Sequence, residues 1–526
     1  MSSPSYPVDS RPWVPVLTGD GTCEPLSLRD LFLRAHELRD IAVPVPPAAS
    51  AVLRLLYVIT ARITDLDLKS VERGSVDSSG WLALRRDAVE KGEFDPTHVR
   101  AYFDDPRYQW DLFCAERPWM QDSRLRTEAR PIGINRLDPT RPRDNSPVWF
   151  KHTYHGHAPA IETPEAILWL LTTHLYGPGG GGGTRTVTGT LPDGTAATVS
   201  DQYMSSGPLR AALTHYPLGR NLFETLIAGL PDPVNPPERG EDRAPWEHDE
   251  LPDPLGSPPP ITSPAGLLLG RSRHAVLLHP DPTGEYVVDA RITWAFKQPH
   301  VELVGSDPYT IRQRDKQGGW QDRQADADRA QWRDLDALLA DSDHRTRPDT
   351  VRMIQHNLPP AVRDSLRVRV HGVDQDRQAT DRQWFTATTP PLFAWLAEQD
   401  RNYARGAELL RTAAETVAGV LRSALNTQFR MLTGGGGGGP GKRDAPWVAS
   451  AMTHYWPHAE TLFWERFHDQ DFTEPVRAFT GIAEKSMAAA TDHEAHQPPV
   501  ARAQARILRY LRNHAAKKEP REDKDL

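Results

Sequence analysis

The sequence predicts an α+β protein: a large mixed α/β part over residues 1–388, then a C-terminal four-helix bundle over residues 389–526. Three observations carry that expectation. Between about Thr184 and Phe385, the segments AVLLHP, EYVVDARITWAF, LRVRVHGV and RQWFTATT alternate in polarity or are rich in β-branched residues, as strands are. From Tyr403 through Ala407, Leu410, Ala414, Val417, Leu421 and Leu425 to Phe429, apolar residues return every three or four positions, the stripe of one long amphipathic helix. Helical stretches at Val448–His468, Glu474–Ala490 and Pro498–Lys517 bring the helices to four, joined up and down. ATTPP, near residues 386–391, separates the two parts.

The elements follow in chain order. Leu28, Leu31, Phe32, Ala35 and Leu38 recur at helical spacing behind a capping Ser27, with Asp30 three positions on. Val52, Leu55, Leu56, Ile59 and Ile63 make a second stripe, and Arg54 and Arg62 mark it as a buried helix rather than a membrane span. Asp95-Pro96 is a helix start, a capping side chain followed by proline at the first helical position. Residues 131–145 carry three prolines and no period, which predicts a long loop. Thr163-Pro164 opens the helix AILWLLTTHLY, which stops at Gly177.

Composition bounds the function classes. Apolar residues make up 38% and charged residues 25% of 526, which suits a globular chain long enough for two or three domains. The 48 prolines, nearly twice the usual share, fall between elements and indicate long loops. Two cysteines, Cys23 and Cys114, are too few for a disulfide framework or a cysteine-rich zinc site. MSSPSYPVDS lacks the basic and apolar parts of a signal peptide, so a cytoplasmic location is expected. A formal charge of −8 argues against a strongly basic DNA-coating protein, while leaving room for local contacts to nucleic acid.

Several motifs point to chemistry and fall short of it. Gly436 to Lys442 matches the beginning of a phosphate loop, but Arg443 stands where a Ser or Thr must reach magnesium, and a helix precedes the motif. A flexible linker between helices fits it better. His152, His155 and His157 suggest a metal-dependent nuclease or hydrolase, yet they lack a recognised zinc spacing and no HExxH or CxxC accompanies them. No GxSxG motif or protease-like cysteine exists, so no catalytic residue, cofactor or metal is expected. Gly177-Pro178 followed by Gly179–Gly183 differs in kind. A helix cap needs one glycine, and the others permit a ligand to approach bare backbone; taken alone, the run fits a linker equally well.

In order, RPWVPV, SLRDLFLRAHELRDI, the stretch DLFCAERPWMQ (residues 111–121), the helix and glycine loop, LGRNLFETLIAGLP, APWE and SPAGLLLGRSRHAVLLHPD resemble the CasA family. That family supplies the large subunit of the type I-E CRISPR surveillance complex Cascade, and the similarity runs over nearly the whole chain. It implies a non-enzymatic subunit that recognises the protospacer-adjacent motif of double-stranded target DNA from the minor groove, helps open the strands and recruits a helicase-nuclease. Its implied partners are the other Cascade subunits and crRNA, with no membrane.

Carried onto this chain, the resemblance makes Gly179, Gly180 and Gly181 the DNA-contacting loop, with Gly180 central. The strand-opening wedge corresponds to Arg377, Gln378 and Ala379 in a polar turn, where glutamine is long enough to enter a base step. Lys297 matches the minor-groove lysine, with Arg291 as the other candidate. The loop with Asn145, Trp149 and Phe150 resembles the one that docks near the crRNA 5′ end, although either aromatic also suits local packing. Some relatives carry a zinc-binding cysteine cluster before the sheet region; HDELPDPLGSPPPITSP has no cysteine, so zinc is not expected.

Overall fold

The computed structural model describes residues 3–67, 78–142, 158–200, 202–232, 242–258, 264–269, 272–298, 307–354, 358–376, 380–393, 401–432, 444–491 and 497–518. The chain forms two compact units. One comprises Met1–Arg329 with Asp341–Ala397, the other Ala330–Ala340 with Glu398–Leu526.

The larger unit is organised around the Pro46–Ile63 helix, in which nearly every residue is buried. An α-helix with no solvent face must neutralise its charged members internally, because an unpaired buried charge is costly. Arg54, only 1% exposed, donates to Asp307 Oδ1 at 2.6 Å and to the Tyr216 hydroxyl at 2.9 Å. In the last turn, Arg62 reaches Asp67, Asp242 and Glu247 at 3.0–3.1 Å. The two arginines that break the apolar run are therefore the fixed points of a core helix.

Around this helix lie several small antiparallel sheets. Val14–Thr18 sits between Cys23–Leu26 and Leu38–Ile41. The first helix runs only Leu28–Arg34, capped by the Ser27 hydroxyl that accepts from the Asp30 N–H, so Leu38 belongs to a strand and not to the helical stripe expected of it. Four of the expected strands are present as two hairpins. His274–Pro280 pairs with Tyr286–Trp294, and Arg367–Gln375 pairs with Asp381–Thr388. Arg367–Gln375 is the middle strand of its sheet, flanked on its other side by Thr214–Leu218.

The smaller unit holds four long helices, Arg401–Leu432, Pro446–His468, Pro475–Thr491 and Pro498–Ala516. Tyr403 meets Phe467 while Phe429 meets Trp447, so the first two run antiparallel. The Gln331–Leu339 segment packs here as well: the Trp332 ring lies 4.6 Å from that of Phe463, and Asp336 pairs with Arg411 at 3.1 Å. Arg502, Arg506 and Arg509 are exposed, on the face opposite buried Ala503, Ile507 and Leu511.

Two buried histidines set a pH dependence. Burial pushes His174 down to about 4, and burial followed by the Arg369 charge pushes His371 down to about 3. Both rings stay neutral in the fold, whereas in the unfolded chain they protonate near about 6.5. The unfolded chain thus binds more protons below that value, and stability falls as pH drops from about 6.5 towards 4. The expected contribution is up to about 1.4 kcal/mol per pH unit for each ring. Equilibrium denaturation at pH 7, 6 and 5 checks this, and a flat profile there would overturn it.

Candidate nucleic-acid interface

The loop begins where the Thr163–Tyr176 helix ends. Gly177 occupies the cap position and its N–H donates to the Thr173 carbonyl at 3.0 Å. Its backbone is extended (φ −55°, ψ 143°), not left-handed, so the glycine is not there for the usual capping conformation. The following Pro178 drives it out of the helical region. Glycine is required instead because a Cβ at 177 would overlap the Thr173 carbonyl and lie 2.9 Å from the His274 ring.

The rest of the run is pinned on both sides. Gly180 and Met204 exchange both backbone hydrogen bonds at 3.0 Å, and the Gly183 N–H donates to the Ile292 carbonyl at 2.9 Å. Thr293 Oγ1 donates to the Gly183 carbonyl at 2.7 Å, and His274 Nε2 bonds the Pro178 carbonyl at 3.0 Å. A Cβ at Gly179 would meet Ser206 Oγ at 2.9 Å, and one at Gly182 would meet the Ile292 carbonyl at 2.8 Å. At Gly180 and Gly181 a Cβ would meet nothing within 4 Å. The run therefore contains two kinds of glycine. Gly177, Gly179, Gly182 and Gly183 let the backbone pack, whereas Gly180 and Gly181 face open space. Of these two, Gly180 has φ +130° and Gly181 is exposed.

The base of the hairpin that leads to the second predicted contact stands beside this loop. Asp376 N–H donates to the Thr380 carbonyl at 2.9 Å, and the Asp376 carboxylate accepts from Thr380 N–H at 3.0 Å, which closes the turn. Arg377, Gln378 and Ala379 at its tip lie outside the described residues. At its base, Asp381 Oδ1 accepts from Gln375 Nε2 at 2.8 Å and from Arg210 Nη2 at 2.7 Å. The other arm of Arg210 donates to the Tyr176 carbonyl at 2.7 Å, in the last turn of the helix that delivers the glycines. A cavity of about 60 Å³ is lined by Gly177, Gly182, Arg210, Asp381 and Trp384 together. Sequence reasoning missed Arg210, since nothing in the local sequence distinguishes it from the chain's other arginines.

The two candidate cations are placed less tightly. The Lys297 backbone N–H donates to the Pro254 carbonyl at 2.9 Å, and its ammonium acts on Asp193 in the turn after Thr186–Thr190. Asp193 is held below the usual carboxylate range first by the Thr195 backbone N–H, with Lys297 a smaller cause. Arg291 Nε donates to the Ala129 carbonyl at 3.1 Å. Among the described residues, no hydrogen bond or ion pair joins Lys297 to the glycine loop. Asn145, Trp149 and Phe150, the histidines 152, 155 and 157, and the second glycine run all lie outside the described residues. Among the described residues no group of three or more His, Cys, Asp or Glu is arranged to hold a metal ion, and no helix is long and apolar enough to cross a membrane.

The family profile of CRISPR-associated protein Cse1 matches residues 10–497 of this chain. The chain belongs to the Cse1 family. Solved structures agree with that assignment. A chain of a CRISPR RNA-guided surveillance complex is 36% identical, with a TM-score of 0.82 over 97% of this chain and 99% of that one. Thermus thermophilus CasA (Cse1) is 19% identical with a TM-score of 0.73, covering 97% and 99% of the two chains. Thermobifida fusca Cse1 is 20% identical with a TM-score of 0.69, covering 98% of each. Comparison with curated proteins gave no match. As a Cse1 chain, this one shares its fold with the solved structure over 97% of its length, and Gly180 and Gly181 lie in its larger unit.

Proposed function

We propose that this Cse1 chain is the non-catalytic large subunit of a Cascade surveillance complex and reads the protospacer-adjacent motif in duplex DNA. The reading draws its support chiefly from one observation. Gly180 and Gly181 offer open backbone, and Arg210 ties the helix leading into them to the base of the hairpin whose tip carries Gln378. A glycine edge tolerates close approach to the narrow minor groove, where the code is degenerate and shape counts. Gln378, with Arg377 and Ala379 beside it, would enter the adjoining base step and help part the strands. Lys297 would meet the phosphates or the groove. The loop of Asn145, Trp149 and Phe150 would dock the subunit near the crRNA 5′ end, and the subunit would recruit the helicase-nuclease. The cytoplasm is the place for such a complex.

Gln378→Ala tests the reading in a complex reassembled with the remaining subunits and crRNA. Loss of one base-step contact is expected to weaken binding of motif-bearing duplex by about tenfold, with binding of motif-free duplex unchanged. Equal binding of both duplexes before and after the substitution would overturn it.

A further inference from the structure

We infer that Tyr203 is a further DNA contact, its ring lying against a sugar or base of the duplex that the glycine loop approaches. The inference rests on the reading of that loop as the duplex contact. Its basis is register. Antiparallel pairing of Gly180 with Met204 places Tyr203 across from Gly181, because paired residue numbers have a constant sum. Side chains alternate along an extended segment, and directly opposed residues share a face. Met204 points inward, 6% exposed, with its sulfur filling the space a Gly182 side chain would take. Tyr203 therefore points outward, on the face to which Gly181 is open.

A tyrosine opposite a glycine has one ordinary structural use, which is to fold over the glycine and cover it. The geometry excludes that use. A Cβ on Gly181 would meet no atom within 4 Å, so the ring does not lie over it. Tyr203 is instead 76% exposed, while the other exposed large apolar side chains lie between 40% and 45%. A bulky ring held in water beside a stretch of bare backbone has what a stacking nucleotide contact needs, a flat apolar face free to meet a sugar or base.

The test uses the complex assembled with crRNA. Tyr203→Ala is expected to weaken binding of motif-bearing duplex by about tenfold without changing the melting temperature, and Tyr203→Phe to bind as the wild type because the ring carries the contact. A benzophenone side chain placed at 203 should crosslink to DNA on irradiation. Undiminished binding by Tyr203→Ala while Gly181→Asp still fails would overturn the inference and leave the loop reading standing. Crosslinks to a neighbouring protein subunit, or failure of Tyr203→Ala to assemble, would also overturn it by making the occupant a protein. If both variants bind as the wild type, the loop reading itself falls and Tyr203 falls with it.

Discussion

Gly181→Asp is expected to cost the assembled complex about 10- to 100-fold in affinity for motif-bearing duplex, or about 1.4–2.8 kcal/mol. The position is exposed, its φ is not in the left-handed region, and a Cβ there meets nothing, so the fold has no reason to object. What the carboxylate does meet is the incoming phosphate backbone, and the loss should grow as salt is lowered and repulsion is less screened. Gly182→Ala is the contrasting control. Its methyl group would press on the Ile292 carbonyl and the Met204 sulfur, so it should lower the melting temperature of the isolated subunit. Gly180→Asp is a poorer probe, because φ +130° adds backbone strain to whatever the charge does. Binding by Gly181→Asp equal to wild type across a salt series would remove the loop from the interface.

The second large effect concerns stability. Arg62→Met should destabilise the larger unit by about 3–5 kcal/mol at neutral pH, since it strands three buried carboxylates. Asp67, Asp242 and Glu247 surround the guanidinium with side chains 3–6% exposed. Burial alone would raise the Glu247 carboxyl, but Arg62, the Ala244 N–H and the Tyr102 hydroxyl hold it below the ordinary range. In the wild type this carboxylate stabilises the fold above its unfolded value, and the contribution is lost as pH falls. Without Arg62 its folded value rises, the sign reverses, and the variant should recover part of its deficit as pH is lowered towards 5. Denaturant midpoints at pH 7 and pH 5 decide the matter; a deficit under about 1 kcal/mol at pH 7 would sink it.

Much of this was legible because local patterning agrees with the final packing. The stripe from Tyr403 to Leu425 is buried as its period requires, and Asp95 caps the Pro96–Phe103 helix as its side chain allows. Leu38 shows the limit. Its spacing suits a helix, but the chain leaves the helix at Arg34 and pairs Leu38 with Thr18 in a strand. The site was legible as a loop and no further. Which of its glycines pack and which stay open depends on Met204, Ile292 and His274, residues far along the chain. Arg210 finds Asp381 171 positions away, and Arg62 finds Glu247 185 positions away; no local pattern encodes such partners.

The excursion of Ala330–Ala340 has a consequence for how such a protein can be shuffled. The helices after Arg401 take Trp332, Asp336 and Leu338 from a stretch that precedes three strands of the other unit. A crossover between two relatives near residue 389 would unite one parent's helices with the other parent's Trp332 and Asp336. Exchange of the C-terminal part therefore succeeds only where the Phe463 and Arg411 positions suit the borrowed segment. Two crossovers, one on each side of 330–340, would be needed alongside it to transplant the helical unit whole.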